Sequence, residues 1–108
     1  MTGTKYAATE KESVYYHGGA NLQDAKTLGE DLKTWGYFDN GKAADVLLHT
    51  DQTGTVISFV VGQGWDSEQI FTALKKVGPT WAQHLKADHL KIRLIDDHLN
   101  TLKEIPIS

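Results

Sequence analysis

Seven consecutive residues, Thr55–Val61 (TVISFVV), constrain the fold of this chain more than any other stretch. The run is too short for a helix with a buried stripe, and it is rich in β-branched and aromatic side chains, so it reads as a strand. A half-buried strand alternates apolar with polar residues. This one is apolar on both faces except at Ser58, a pattern that belongs in the middle of a sheet.

Neighbouring segments supply the rest of the sheet. Asp45–Thr50 (DVLLHT) is a second strand, joined to the first by Asp51-Gln52-Thr53-Gly54, a hairpin loop with glycine at its left-handed position. Ser13–His17 (SVYYH) is a strand ended by Gly18-Gly19, and Leu90–Ile95 (LKIRLI) alternates as a half-buried strand. Leu102–Ile107 adds a short edge strand, because Pro106 is tolerated at an edge or a terminus.

Two helices separate these strands. Asn21 caps the first, with Asp24 near the positive end of the helix dipole. Leu22, Ala25, Leu28, Leu32 and Trp35 form its apolar stripe, and Gly36 ends it before Tyr37, Phe38 and an Asp39-Asn40-Gly41 turn. The second helix spans Ser67–Leu85, capped by Asp66 or Ser67, with Ile70, Phe71, Leu74, Val77, Trp81 and Leu85 as its stripe. Gly78-Pro79 predicts a kink or a break within it.

The order β-α-β-β-α-β, with the extra C-terminal edge strand, points to an α+β fold of the ferredoxin-like type. Such a fold is a two-layer sandwich with both helices on one face of an antiparallel sheet. Residues 13–108 form this single domain. Residues 1–12 are polar and read as a flexible N-terminal arm, with no apolar segment of the signal-peptide kind.

Charge and composition exclude several function classes. Eleven Lys and Arg against fourteen Asp and Glu leave a net charge of -3, and neither half of the chain is basic, which argues against general nucleic-acid binding. No apolar run approaches the ~20 residues needed to span a bilayer as a helix, so direct membrane insertion is not expected. The absence of cysteine removes disulfides, thiol catalysis and cysteine-based zinc sites. It fits either a cytoplasmic or an extracytoplasmic location.

Strand alternation sorts the side chains. If Val14, Tyr16, Val46, Leu48, Ile57, Phe59, Leu90, Ile92 and Leu94 face the helices, the opposite face presents Tyr15, His17, Leu47, His49, Val56, Ser58, Val60, Lys91 and Arg93. That face is part apolar and is left without a helix. Tyr15, His17, Leu47, His49, Val56 and Val60 are therefore the candidate interface residues. His17 and His49 are two imidazoles that would serve a metal if a third ligand joined them, but they lie 32 positions apart without a ligand-spacing motif. Asp96-Asp97-His98 has paired carboxylates but the composition of a turn. His84 and His89 suit the negative end of the second helix.

No catalytic constellation emerges. Gly62-Gln63-Gly64 before a helix lacks the third glycine of a dinucleotide fingerprint and the Gly-Lys-Ser/Thr ending of a phosphate loop. Ser13, Ser58, Ser67 and Ser108 lie in no Gly-x-Ser-x-Gly context. Trp35 and Trp81 belong to helix stripes, whereas Trp65 sits in the loop before the second helix and is freer to meet a ligand.

Val14-Tyr15-Tyr16, the helix from Ala25 to Gly36, Gly36-Tyr37-Phe38-Asp39, Val56–Val61 and Leu94-Ile95-Asp96-Asp97-His98-Leu99 together resemble a small bacterial α+β domain. The resemblance spans most of residues 13–107 and rests on packing motifs. It implies an accessory domain, cytoplasmic or extracytoplasmic, within a larger bacterial protein, and it brings no activity, cofactor or catalytic residue with it.

The expectation from sequence is a non-enzymatic protein-interaction or self-association module with no cofactor. Its partner is a protein or a second copy, as in a homodimer. A small-ligand or metal-binding domain using the open face is the alternative. An RNA-recognition-like domain with Tyr15 as stacking residue is disfavoured by the acidic charge.

Overall fold

The apolar run does lie inside the sheet, as a strand that ends at Val60, one residue short of Val61. A computed structural model describes residues 4–7, 12–35, 44–61, 68–96 and 98–107. Its elements are β1 (Thr4–Ala7), β2 (Glu12–Gly18), α1 (Leu22–Trp35), β3 (Ala44–Asp51), β4 (Gly54–Val60), α2 (Glu68–Leu85), β5 (Leu90–Ile95) and β6 (Thr101–Pro106). The six strands form one mixed sheet in the order β1-β2-β3-β4-β5-β6, so β4 has neighbours on both sides.

The α+β class holds, but the ferredoxin-like arrangement does not. In that fold the strands joined through a helix are separated by a third strand, and the sheet is antiparallel. Here β2 pairs directly with β3, and β4 with β5, both in parallel; the other pairs are antiparallel. Side-chain alternation reports which face a residue occupies, not which strand lies alongside. The two parallel units run in opposite directions while the chain advances one way across the sheet. Both helices share a face, so the two crossovers have opposite hands, a departure from the strong right-handed preference.

Both sheet edges carry a strand beyond the β-α-β-β-α-β core. The C-terminal one is β6, as expected from Pro106. At the other edge, Thr4–Ala7 pairs antiparallel with β2 from within the segment read as a flexible arm. Its alternation is weak; Tyr6 alone of its four residues packs against the core.

One core lies between the sheet and the helices. Val14, Val46, Leu48, Ile57, Phe59, Leu90, Ile92 and Leu94 are buried on the sheet side, with Tyr16 packed at the margin, so the helix-facing set matches the alternation. From α1 come Ala25, Leu28 and Leu32; from α2 come Leu74, Trp81 and Ala82. The ends of the two stripes depart from expectation: Leu22 and Ile70 are exposed. Asn21 and Asp24 form a reciprocal cap. The Asp24 N–H donates to Asn21 Oδ1 at 2.9 Å, and the Asn21 N–H donates to Asp24 Oδ2 at 3.2 Å. Gly36, Tyr37, Phe38, the Asp39-Asn40-Gly41 turn, the Trp35 side chain, Gly62-Gln63-Gly64, Trp65 and the cap at Asp66 or Ser67 lie outside the described residues.

No break occurs at Gly78-Pro79: α2 runs from Glu68 to Leu85 without interruption. A mid-helix proline costs about 3 kcal/mol. Burial of Leu74 and Trp81 on either side offsets this, at roughly 1.5–3 kcal/mol for a large apolar side chain. Gly78 serves close packing instead, because a Cβ there would stand 2.6 Å from Ile107 Cδ1. The helix ends in a Schellman motif, in which Ala87 N–H bonds the Ala82 carbonyl and Lys86 N–H that of Gln83. Lys86 takes the left-handed position with φ 55.

Candidate functional site

Strand register turns the open face into rows. One row takes a residue from every strand: Lys5, Tyr15, Leu47, Ser58, Arg93 and Glu104. The next carries His17, His49, Val56, Lys91 and Pro106. Val60 stands at the far end, paired with Ile95. Among the described residues no helix covers this face.

A shallow groove of about 410 Å³ runs over it, lined by His17, Leu47, His49, Asp51, Thr53, Val56, Ser58, Lys91, Arg93, Ile95 and Leu99. Four of the six candidate interface residues, His17, Leu47, His49 and Val56, thus meet in one groove. Tyr15 and Val60 share the face, half-buried, but stand outside the lining. Ile95 and Leu99 line the groove where the chain turns after β5, and Ile95 is buried although it points away from the helices. Asp96 is occupied in shaping that turn. Its Oδ1 accepts the N–H groups of His98 at 2.9 Å and Asn100 at 2.8 Å, and the Asn100 bonds hold its carboxyl below the usual range. Asp97 lies outside the described residues.

The parallel register of β2 and β3 sets His17 directly beside His49. Their Nδ1 atoms stand 3.0 Å apart, with ring centroids at 4.3 Å. One proton bridges two such nitrogens, one donating and one accepting. His49 Nε2 lies 3.0 Å from Asp51 Oδ2, and Asp51 Oδ1 accepts the Thr53 N–H at 2.8 Å and the Thr53 hydroxyl at 2.6 Å. The Thr53 hydroxyl and amide, then His49, pull the Asp51 carboxyl down to about 2. In the sequence Asp51 and Thr53 read simply as hairpin residues. The signal that marks Asp51 is its place two residues after His49, which puts both on one strand face.

Burial, then the neighbouring His49, lower the pKa of His17 from its ordinary 6.5. Below that value the unfolded chain binds more protons at this group than the folded chain does. The contribution to stability is therefore complete above pH 6.5 and is lost as the pH falls below it through the folded value. Urea denaturation at about pH 7.5 and about pH 5.5 should show this loss, and His17→Phe should shrink it. An equal loss in the variant would contradict the assignment.

The cations of the face are partly spoken for. Arg93 donates to Glu104 Oε2 from Nη2 at 2.8 Å and from Nε at 2.9 Å, and Lys91 Nζ lies 3.4 Å from Oε1. Arg93, foremost, holds the Glu104 carboxyl below its usual range. Away from the face, His84 Nδ1 meets Asp31 at 2.8 Å and ties α2 to α1, a tertiary contact where a helix-end charge was expected. Trp81 is core, in ring contact with Phe59. Among the described residues no group of three or more His, Cys, Asp or Glu is placed to hold a metal, and no helix is long and apolar enough to cross a membrane. Comparison of the chain with protein-family models, curated proteins and solved structures gives no match.

Proposed function

We propose that this chain is a non-enzymatic protein-interaction module that associates with a second copy of itself through the open face of its sheet. The observation that carries the reading is the layout of that face. Tyr15, Leu47, Val56 and Val60 lie on the inner strands β2, β3 and β4, interleaved with Ser58, His17 and His49, while the charged Lys5, Lys91, Arg93 and Glu104 stand on the flanking strands. An apolar centre within a charged rim is the anatomy of a protein–protein contact.

A second copy suits this face because its charges are mixed. Cations and carboxylates both occur on the rim, so two copies meet without a field of one sign between them. RNA would need an excess of free cations, whereas Lys91 and Arg93 share Glu104 and the chain is acidic, so the reading expects no salt-sensitive RNA affinity. Burying the four apolar side chains yields ~25 cal/mol per Å², against an association cost of roughly 4–15 kcal/mol. A reversible dimer follows rather than an obligate one.

Val60→Glu places an unpaired carboxylate in the contact. Sedimentation over a wide concentration range should show a dimer in the wild type and a monomer in the variant, with circular dichroism unchanged. A wild type that stays monomeric at every concentration would rule out the second copy as occupant.

A further inference from the structure

We propose that His17 and His49 chelate one divalent transition-metal ion through their Nδ1 atoms, with Ni²⁺ or Cu²⁺ fitting better than Zn²⁺, and that the remaining coordination positions open into the groove. The site goes beyond the self-association reading and does not depend on it.

Three observations converge on these two nitrogens. The first is placement: adjacent parallel strands hold the imidazoles side by side on the lining of an open groove. The second is a tautomer set from behind. His49 Nε2–H donates to Asp51 Oδ2 at 3.0 Å, which leaves His49 Nδ1 with a lone pair, and Thr53 fixes Asp51 in turn. A carboxylate behind a ligating imidazole is the usual companion of a metal-bound histidine. The third is the bite. With metal–nitrogen bonds of ~2.0–2.1 Å, two ligands at a right angle stand about 2.9 Å apart and two at a tetrahedral angle about 3.3 Å apart. The 3.0 Å that the shared proton sets without metal already lies near the right-angle span of tetragonal Ni²⁺ and Cu²⁺ sites, so the pair need not open to take the ion.

Without metal, a single proton lies between the two nitrogens. On binding it leaves Nδ1 of His17 and reappears on Nε2 through solvent, so two neutral imidazoles take up the ion without net proton release. Gly18 keeps the space beside the pair open, since a Cβ there would stand 2.9 Å from His49 Cε1. Two protein ligands instead of four place the affinity on the order of 10 µM. Water, or a donor on whatever fills the groove, completes the shell.

Calorimetric titration of the full chain, stripped with EDTA, tests this with Ni²⁺ and Zn²⁺ at about pH 7.5. One Ni²⁺ per chain is expected, bound more tightly than Zn²⁺. His17→Phe should lose the site, and Asp51→Asn should weaken it about tenfold or more while leaving both ligands in place. His49→Gln, checked by circular dichroism, replaces His17→Phe if that variant does not fold. Absence of Ni²⁺ binding, or binding unchanged in the histidine variant, would overturn the site. Tighter Zn²⁺ binding would overturn the metal preference, and an unaffected Asp51→Asn the positioning role of the carboxylate.

Discussion

Phe59→Ala should destabilise the fold by roughly 3–5 kcal/mol, the range for emptying a large aromatic from a sealed core. Phe59 is 2% exposed, on the strand with the most continuous apolar pattern. It pairs with Val46 on one side and Leu94 on the other, and its ring centroid lies 6.0 Å from that of Trp81 on α2. The truncation therefore removes side-chain burial and an aromatic contact at the point where α2 sits on the sheet. Neighbouring strands cannot close the gap without breaking ladder hydrogen bonds on both sides of β4. Val60→Ala, one residue on and facing the other way, should cost far less. Urea unfolding of both variants checks the pair. A Phe59→Ala change under about 1 kcal/mol would mean the side chain is not core.

Gly18→Ala should cost about 2 kcal/mol or more, unusually much for one added methyl. Gly18 ends β2 with φ 70, a conformation that penalises a Cβ by roughly 1–2 kcal/mol. The new carbon would also press into the Thr50 carbonyl oxygen and the His49 ring. That carbonyl cannot retreat freely, because it accepts the Gly19 N–H at 2.6 Å. The same change should disturb the His17–His49 pair, visible in the imidazole proton signals by nuclear magnetic resonance. A stability change below about 0.5 kcal/mol together with unaltered imidazole signals would contradict this account of Gly18.

The faces of this fold were legible in the sequence, and so was the β3–β4 hairpin through Asp51–Gly54; the pairings across the helices were not. Alternation along Val14-Tyr15-Tyr16 and Ile57-Ser58-Phe59 tells which side chains meet the helices, because a strand has a fixed period of two. Asn21 with Asp24 marks the start of α1 for an equally local reason. No local signal says that β2 lies beside β3 instead of being split from it. That choice is made by how each helix crosses the sheet, and the ferredoxin-like expectation failed there. Thr4–Ala7 was missed because an exposed edge strand of four residues draws its order from pairing with β2. Gly78-Pro79 reads as a kink or a break, and the helix is not broken there, because the sequence does not display the burial of Leu74 and Trp81 and the packing of Ile107 on Gly78.

The candidate site divides in the same way. Its apolar members, Tyr15, Leu47, Val56 and Val60, followed from the face assignment. His17 and His49 were separately visible, but only the parallel register brings their rings together. Asp51 and Thr53 were hidden inside a good hairpin sequence, since one carboxylate serves a turn and a histidine at once.

Self-association through the open face is tested most directly by a dilution series of the full chain followed by nuclear magnetic resonance. The account predicts methyl and aromatic shifts that depend on concentration at Tyr15, Leu47, Val56 and Val60, while Leu28, Leu32 and Phe59 in the helix-covered layer stay fixed. Spectra that do not change with concentration, or changes confined to the helices or the sheet edges, would contradict it.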